Sequence, residues 1–160
     1  MATIRFKGLD QYIKQLERLS NDSEATIKKA LYKGAGVAAD SIKKSIEGIN
    51  TDDRPHTGNE MRTGPTTIQK TGLVRSFGIS PMKTKAGTID VKLGFDGYNA
   101  VRSERWPKGQ PNVMIARSVE SGTSWMQKQP FMRQAERQAK ALVEIEIKKT
   151  LEEEIAKIMK

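Results

Sequence analysis

The spacing of apolar residues changes several times along the chain, and each change marks an element. Thr3 to Lys7 alternates, with Ile4 and Phe6 opposite Arg5 and Lys7, as a half-buried strand does. From Leu9 the spacing becomes helical: Leu9, Tyr12, Ile13, Leu16 and Leu19 share one face, and Gln11, Lys14, Gln15, Glu17 and Arg18 fill the other. This predicts an amphipathic helix ending near Ser20. Ser20-Asn21-Asp22-Ser23 supplies N-cap residues, and Asn21 with Glu24 three positions on approximates a capping box, so a second helix is predicted to start there. Its stripe is Ile27, Leu31, Ala35, Ala38, Ile42 and Ile46, with Gly48 as its stop. Gly34 and Gly36 within it predict close packing against another helix.

The middle of the chain lacks a sustained period. Asn50 to Gly72 contains Pro55, Gly58, Gly64, Pro65 and Gly72 and reads as a long surface loop, of a length that is usually functional or becomes ordered on docking. Thr71 to Phe77 predicts a single helical turn. Ile79 to Lys83 and Thr88 to Phe95 then read as two strands joined at Lys85-Ala86-Gly87. Pro81 has no N–H to donate, so the first of these is an edge or bulged strand. Gly97 to Asn112 is a second irregular stretch, basic and aromatic. Val113 to Val119 reads as a short helix or strand, and Glu120 to Ser124 as a turn.

From Gln129-Pro130-Phe131 the helical period returns, and Phe131, Ala135, Ala139, Leu142, Leu151, Ile155 and Ile158 recur on it. Nothing from Phe131 onward breaks a helix. A helix from Phe131 to Met159 is roughly 43 Å long, whereas a compact chain of this length has a radius of gyration of roughly 15 Å. Part of it is therefore expected to protrude or to meet a neighbour, with Leu142, Leu151, Ile155 and Ile158 as the candidate subunit interface. The expected architecture is a single α+β domain over residues 1–160, with two N-terminal helices, a small antiparallel β-sheet in the middle and a long C-terminal helix over about 130–159.

Composition narrows the chemistry. There is no cysteine, which excludes disulfides, thiol catalysis and cysteine-bearing zinc sites. His56 is the single histidine and lies in a polar loop, where it reads as an exposed residue and not a catalytic base. Asp52, Asp53, Glu60, Asp90, Asp96 and Glu104 stand mostly in loops without a partnering cluster, and no phosphate-binding glycine motif is present. No catalytic residue, metal ligand or cofactor is assigned. No apolar run nears the roughly 20 residues of a membrane span, and the first residues lack a signal-type apolar core, so a soluble protein made in the cytoplasm is expected.

The net charge of +9 is unevenly spread: residues 1–50 contribute +3, residues 51–117 contribute +5 and residues 118–160 contribute +1. Arg54, Arg62, Lys70, Arg75, Arg102, Arg105, Trp106 and Lys108 are therefore the candidates for facing DNA or a partner. A non-specific nucleic-acid-binding protein of the cytoplasm is one reading of that charge. A basic solvated surface is the other.

Several strings, taken in order, resemble a known family. They are Ile4-Arg5-Phe6-Lys7-Gly8-Leu9-Asp10, Ala38-Ala39-Asp40-Ser41-Ile42-Lys43, Thr71-Gly72-Leu73-Val74-Arg75-Ser76, and Ala116-Arg117-Ser118-Val119-Glu120-Ser121-Gly122-Thr123-Ser124 followed by Pro130-Phe131-Met132-Arg133. Together they are similar to the neck or tail-completion proteins of long-tailed bacteriophages, minor tail protein Z among them. The resemblance implies a non-catalytic virion protein that joins the head connector to the tail terminator or tail tube. It would work as a homo-oligomeric ring around passing double-stranded DNA, without cofactor or membrane. It marks Ala116, Arg117, Glu120, Gly122, Thr123, Pro130 and Phe131 as the family's structural motif. Glycine there permits a tight turn, and Phe131 would anchor the last helix in the core.

Overall fold

A computed structural model describes residues 9–160, with side chains from Lys14 onward. The strand predicted over Thr3 to Lys7 and the string Ile4 to Gly8 lie outside the described residues. The order of elements is α1 (Leu9–Glu47), α2 (Thr67–Ser76), β1 (Phe77–Ile79), β2 (Lys83–Lys85), β3 (Thr88–Asp90), β4 (Leu93–Phe95), α3 (Asn112–Ser121) and α4 (Phe131–Ile158). The fold is α+β, as the sequence predicts.

The two predicted N-terminal helices are one. α1 runs through Ser20-Asn21-Asp22-Ser23 without a break, 39 residues in all and roughly 58 Å long. Capping residues in a helix interior each cost only a fraction of a kcal/mol, and no proline or glycine intervenes before Gly34. Ser23 returns its hydroxyl to the carbonyl of Ser20, so the polar side chain is satisfied within the helix. What keeps the helix intact is its neighbour. α4 lies antiparallel along it: Gln15 Nε2 donates to the carbonyl of Met159, Lys29 Nζ to Glu154, and Ser41 Oγ to the carbonyl of Ala135. Packing of this kind outweighs local propensity. Gly34 makes the close approach that its sequence position predicts, since a Cβ there would fall 2.5 Å from Ile147 Cγ1. Gly36 faces open space.

At the other end of the helix pair α1 turns a second face to the core. Ile42, Ile46 and Ile49 pack with Leu73 of α2, Phe77 of β1, Ile115 and Val119 of α3, Met126, and Phe131 and Ala135 of α4. Each buried Ile, Leu or Phe contributes on the order of 1.5–3 kcal/mol, so this cluster holds the small elements onto the long pair. Phe95 bridges Phe77 and Phe131, with ring centroids 5.3 and 6.1 Å away.

The predicted loop over Asn50 to Gly72 ends earlier than expected, because α2 starts at Thr67 and supplies a ten-residue helix where a single turn is predicted. Thr66 and Gln69 form a reciprocal capping box that nucleates it. The hairpin is also divided. β1 pairs antiparallel with β4 and β2 with β3, while Ser80-Pro81-Met82 faces only Val91-Lys92 between them. That extra residue on the proline side is a bulge, and it interrupts the strand predicted over Thr88 to Phe95. Ser80 holds the gap closed by donating its N–H to the carbonyl of Lys92 and accepting the N–H of Lys92 on its hydroxyl. Ala86 and Gly87 both have positive φ (49° and 78°), as a two-residue hairpin turn of the I′ kind requires. Thr84 in β2 reaches Glu24 of α1, so the hairpin lies along the long helix.

Candidate functional site

Two places combine the residues singled out by sequence: the turn between α3 and α4, and a cleft between α2 and the segment 96–111.

The turn explains the motif residues structurally. α4 has Pro130 at its N-cap, which offers no side-chain oxygen to the first turn. Glu120 at the end of α3 substitutes for it, accepting the N–H groups of Met132 (2.8 Å) and Arg133 (3.3 Å). A carboxylate at a helix N-terminus also meets the positive end of the helix dipole. Gly122 has φ +74°, and a Cβ on it would sit 2.9 Å from Lys128 Cβ and 3.0 Å from Lys128 N. Thr123 closes the turn through reciprocal backbone bonds with Met126. Ala116 and Phe131 are buried in the core, and Arg117 is exposed.

The same turn is sewn to the loop that precedes α2. Arg62 N donates to the carbonyl of Trp125, and Gln127 N returns to the carbonyl of Arg62. Gln129 accepts Asn50 N and donates to the carbonyls of Asn50 and Thr63. A lone glutamine before a proline gives no sign of this role in the sequence. Gly64 lies beneath it, where a Cβ would collide with the Asn50 carbonyl. Within the loop, Asp52 is buried and accepts hydrogen bonds from Nε and Nη2 of Arg54 and from the N–H of Thr63. Those bonds, Arg54 first, hold its carboxyl well below the usual range. Asp53 receives the hydroxyl and N–H of Thr67 at the start of α2 and is lowered for that reason.

Several predicted partner-facing cations are thus already engaged. Arg54 grips Asp52, Arg62 Nη2 donates to the carbonyl of Arg54, and Lys70 Nζ caps the C-terminal end of α1 through the carbonyls of Glu47 and Ile49. Arg105 lies over the Trp106 ring, 5.5 Å from its centroid.

The remaining three come together. Arg75, Arg102 and Lys108 line an open cleft of roughly 900 Å³ between α2 and the segment 96–111. Among the described residues none of them is in an ion pair. Ile68 and Tyr98 form apolar walls, 55% and 60% exposed, and Asp96 is the single carboxylate of the lining. The segment is a narrow excursion tied by backbone bonds from Asn99 to Gln110 and from Gln110 to Val101. Gln69 of α2 holds it from the side through Gln110. On the floor, Gly72 lets α2 approach closely, since a Cβ would come within 2.6 Å of Asn99 Cβ and 2.7 Å of Asn112 Oδ1. Asn99 Nδ2 and Asn112 Oδ1 are buried without a partner among the described residues.

The cleft has cations and apolar walls, and no group of three potential metal ligands occurs among the described residues. No helix among the described residues is long and apolar enough to cross a membrane. The site is thus an open cleft with three cations, unpaired among the described residues, on a small α+β core that is joined to a long helix pair. Residues 10–122 match the family described as "Bacteriophage HK97-gp10, putative tail-component", and the chain belongs to that HK97-gp10-like family of phage tail components. The match includes Glu120 and Gly122 and ends before Pro130 and Phe131. No curated relative and no solved structure matches the chain.

Proposed function

We propose that this tail component acts at the neck, joining the head connector to the tail and completing it, as a homo-oligomeric ring through which DNA passes. The observation that carries the reading is the outer surface of the α1–α4 pair. Leu142 and Ile145 stand on α4 at 58% and 62% exposure, and Ile155 is also exposed, on a rod that extends beyond the core. Leu151 and Ile158, the other two candidate interface residues, are half-buried. Apolar side chains held on a straight helix favour burial against another protein. Copies arranged around an axis would cover them repeatedly and place the basic middle region where it can screen phosphates without reading sequence. The role is structural and needs no catalytic group.

The test is deletion of the coding sequence from the phage or prophage that carries it. Filled heads and separate, unjoined tails in electron micrographs are the expected result. Intact infectious particles of normal length and titre would overturn the reading.

A further inference from the structure

We infer that the cleft between α2 and the segment 96–111 receives an extended acidic peptide, a segment of a neighbouring protein held by its main chain on the floor and by its carboxylates at the rim. The inference goes beyond the neck reading and does not depend on a ring. It starts from the floor. Asn99 and Asn112 line the cleft at 6% and 2% exposure, and both border Gly72 of α2. Each has half of its amide engaged: Asn99 Oδ1 accepts the N–H of Val101, and Asn112 Nδ2 donates to the carbonyl of Asp96, both at 2.9 Å. These bonds fix which way round each amide lies. The halves left over are a donor, Asn99 Nδ2, and an acceptor, Asn112 Oδ1, without partners among the described residues. Buried amide groups are rarely left unmet. A peptide group carries one complement to each, its carbonyl for Asn99 and its N–H for Asn112.

The rim sets the charge of that peptide. Arg75, Arg102 and Lys108 are exposed and, among the described residues, in no ion pair. Asp96 alone opposes them, and its Oδ1 already accepts the N–H of Gly97. Carboxylates meet such cations in charge-assisted hydrogen bonds. Ile68 and Tyr98 on the walls take apolar side chains, and an extended chain, whose successive side chains leave on opposite sides, offers acidic and apolar positions at once. Water would answer the amide pair but neither the cations nor the walls. Duplex DNA would answer the cations, yet its phosphates carry acceptors only, so Asn112 Oδ1 would face another acceptor and Ile68 would stay uncovered. An acidic peptide answers all three.

The test is fluorescence anisotropy with a labelled, end-blocked peptide of alternating Glu and Leu, set against the same peptide with Gln for Glu, the same peptide N-methylated along its main chain, and a short DNA duplex. Wild type is expected to bind the Glu-Leu peptide about tenfold more tightly than either altered peptide. Arg102→Glu with Lys108→Glu is expected to lose that peptide and to bind its Lys-for-Glu counterpart instead; both positions are exposed, and unchanged circular dichroism and melting confirm folding. Binding of the Gln peptide as tight as that of the Glu peptide, or binding untouched by the double variant, overturns the inference at the rim. Equal binding of the methylated peptide overturns it at the floor. No binding at millimolar Glu-Leu peptide overturns it outright, and if the duplex binds in its place and the double variant loses the duplex, the cleft is assigned to nucleic acid. None of these outcomes touches the neck reading, which stands or falls on the deletion.

Discussion

The segments 48–66 and 96–111 have much in common: both are irregular, carry arginines among glycines and prolines, and run from one element of the core to the next. In the first, cations meet carboxylates and carbonyls at close range. Arg54 is bound to Asp52 and Arg62 to the Arg54 carbonyl, and neighbouring Lys70 is bound to the end of α1. In the second, Arg102 and Lys108 have no such partner among the described residues and stand beside Arg75 at the cleft. Two adjacent aspartates make the first segment a brace: Asp52 holds Arg54 and the Thr63 N–H, and Asp53 holds the start of α2 at Thr67. The folded chain's own carboxylates and carbonyls thus take up the cations around the first segment and leave those of the cleft, among the described residues, outside any ion pair.

Both segments depend on a glycine that passes against a backbone carbonyl, and replacing it breaks either side of the comparison. Gly64→Ala drives a methyl into the Asn50 carbonyl, and Gly109→Ala drives one into that of Asn99 from a φ of +108°. Each is expected to destabilise by about 3 kcal/mol or more in urea titrations, the largest effects of the set. Glu120→Ala, which removes the surrogate cap where the first segment meets α4, is expected to cost about 1–2 kcal/mol by the same measurement. Arg54→Ala lowers the melting temperature, whereas Arg102→Ala leaves stability within about 0.5 kcal/mol and alters only binding.

Acid sharpens the contrast further. Asp52, Asp53 and Glu154 all have carboxyls held below their ordinary values; Lys157 first and then Lys29 pull Glu154 down to about 2. A depressed carboxyl stabilises the fold fully above the ordinary carboxylate range, and the contribution is lost as pH falls toward the folded value. Melting temperature is expected to decline from about pH 5 to pH 2, and Glu154→Gln to flatten part of that decline.

Much of this was legible in the residues. The C-terminal helix from Phe131, the hairpin with its proline defect and the α+β class all follow from periodicity and turn chemistry. The start of α2 was also written there, because Thr66-x-x-Gln69 is a capping box; the surrounding Gly64 and Pro65 hide it inside an apparent loop. The continuity of α1 was not legible. Ser20 to Ser23 favours a break locally, and only the partner helix, whose nearest contacts are up to 144 residues away, decides otherwise. The division of the basic residues into braced and free groups was hidden for a similar reason, since it depends on which carboxylates the folded loop brings near.

The pairing of α1 with α4 also sets an order of events at the ribosome. Gln15 is synthesised 144 residues before Met159, its contact in the finished helix pair. At ordinary elongation rates this is a wait of roughly 7 to 30 s, during which α1 has emerged and its partner has not. Through that interval the flank that α4 will cover, Thr26, Ala30 and Gly34 among it, is open to other nascent chains. Any message truncated before Phe131 makes that exposure permanent.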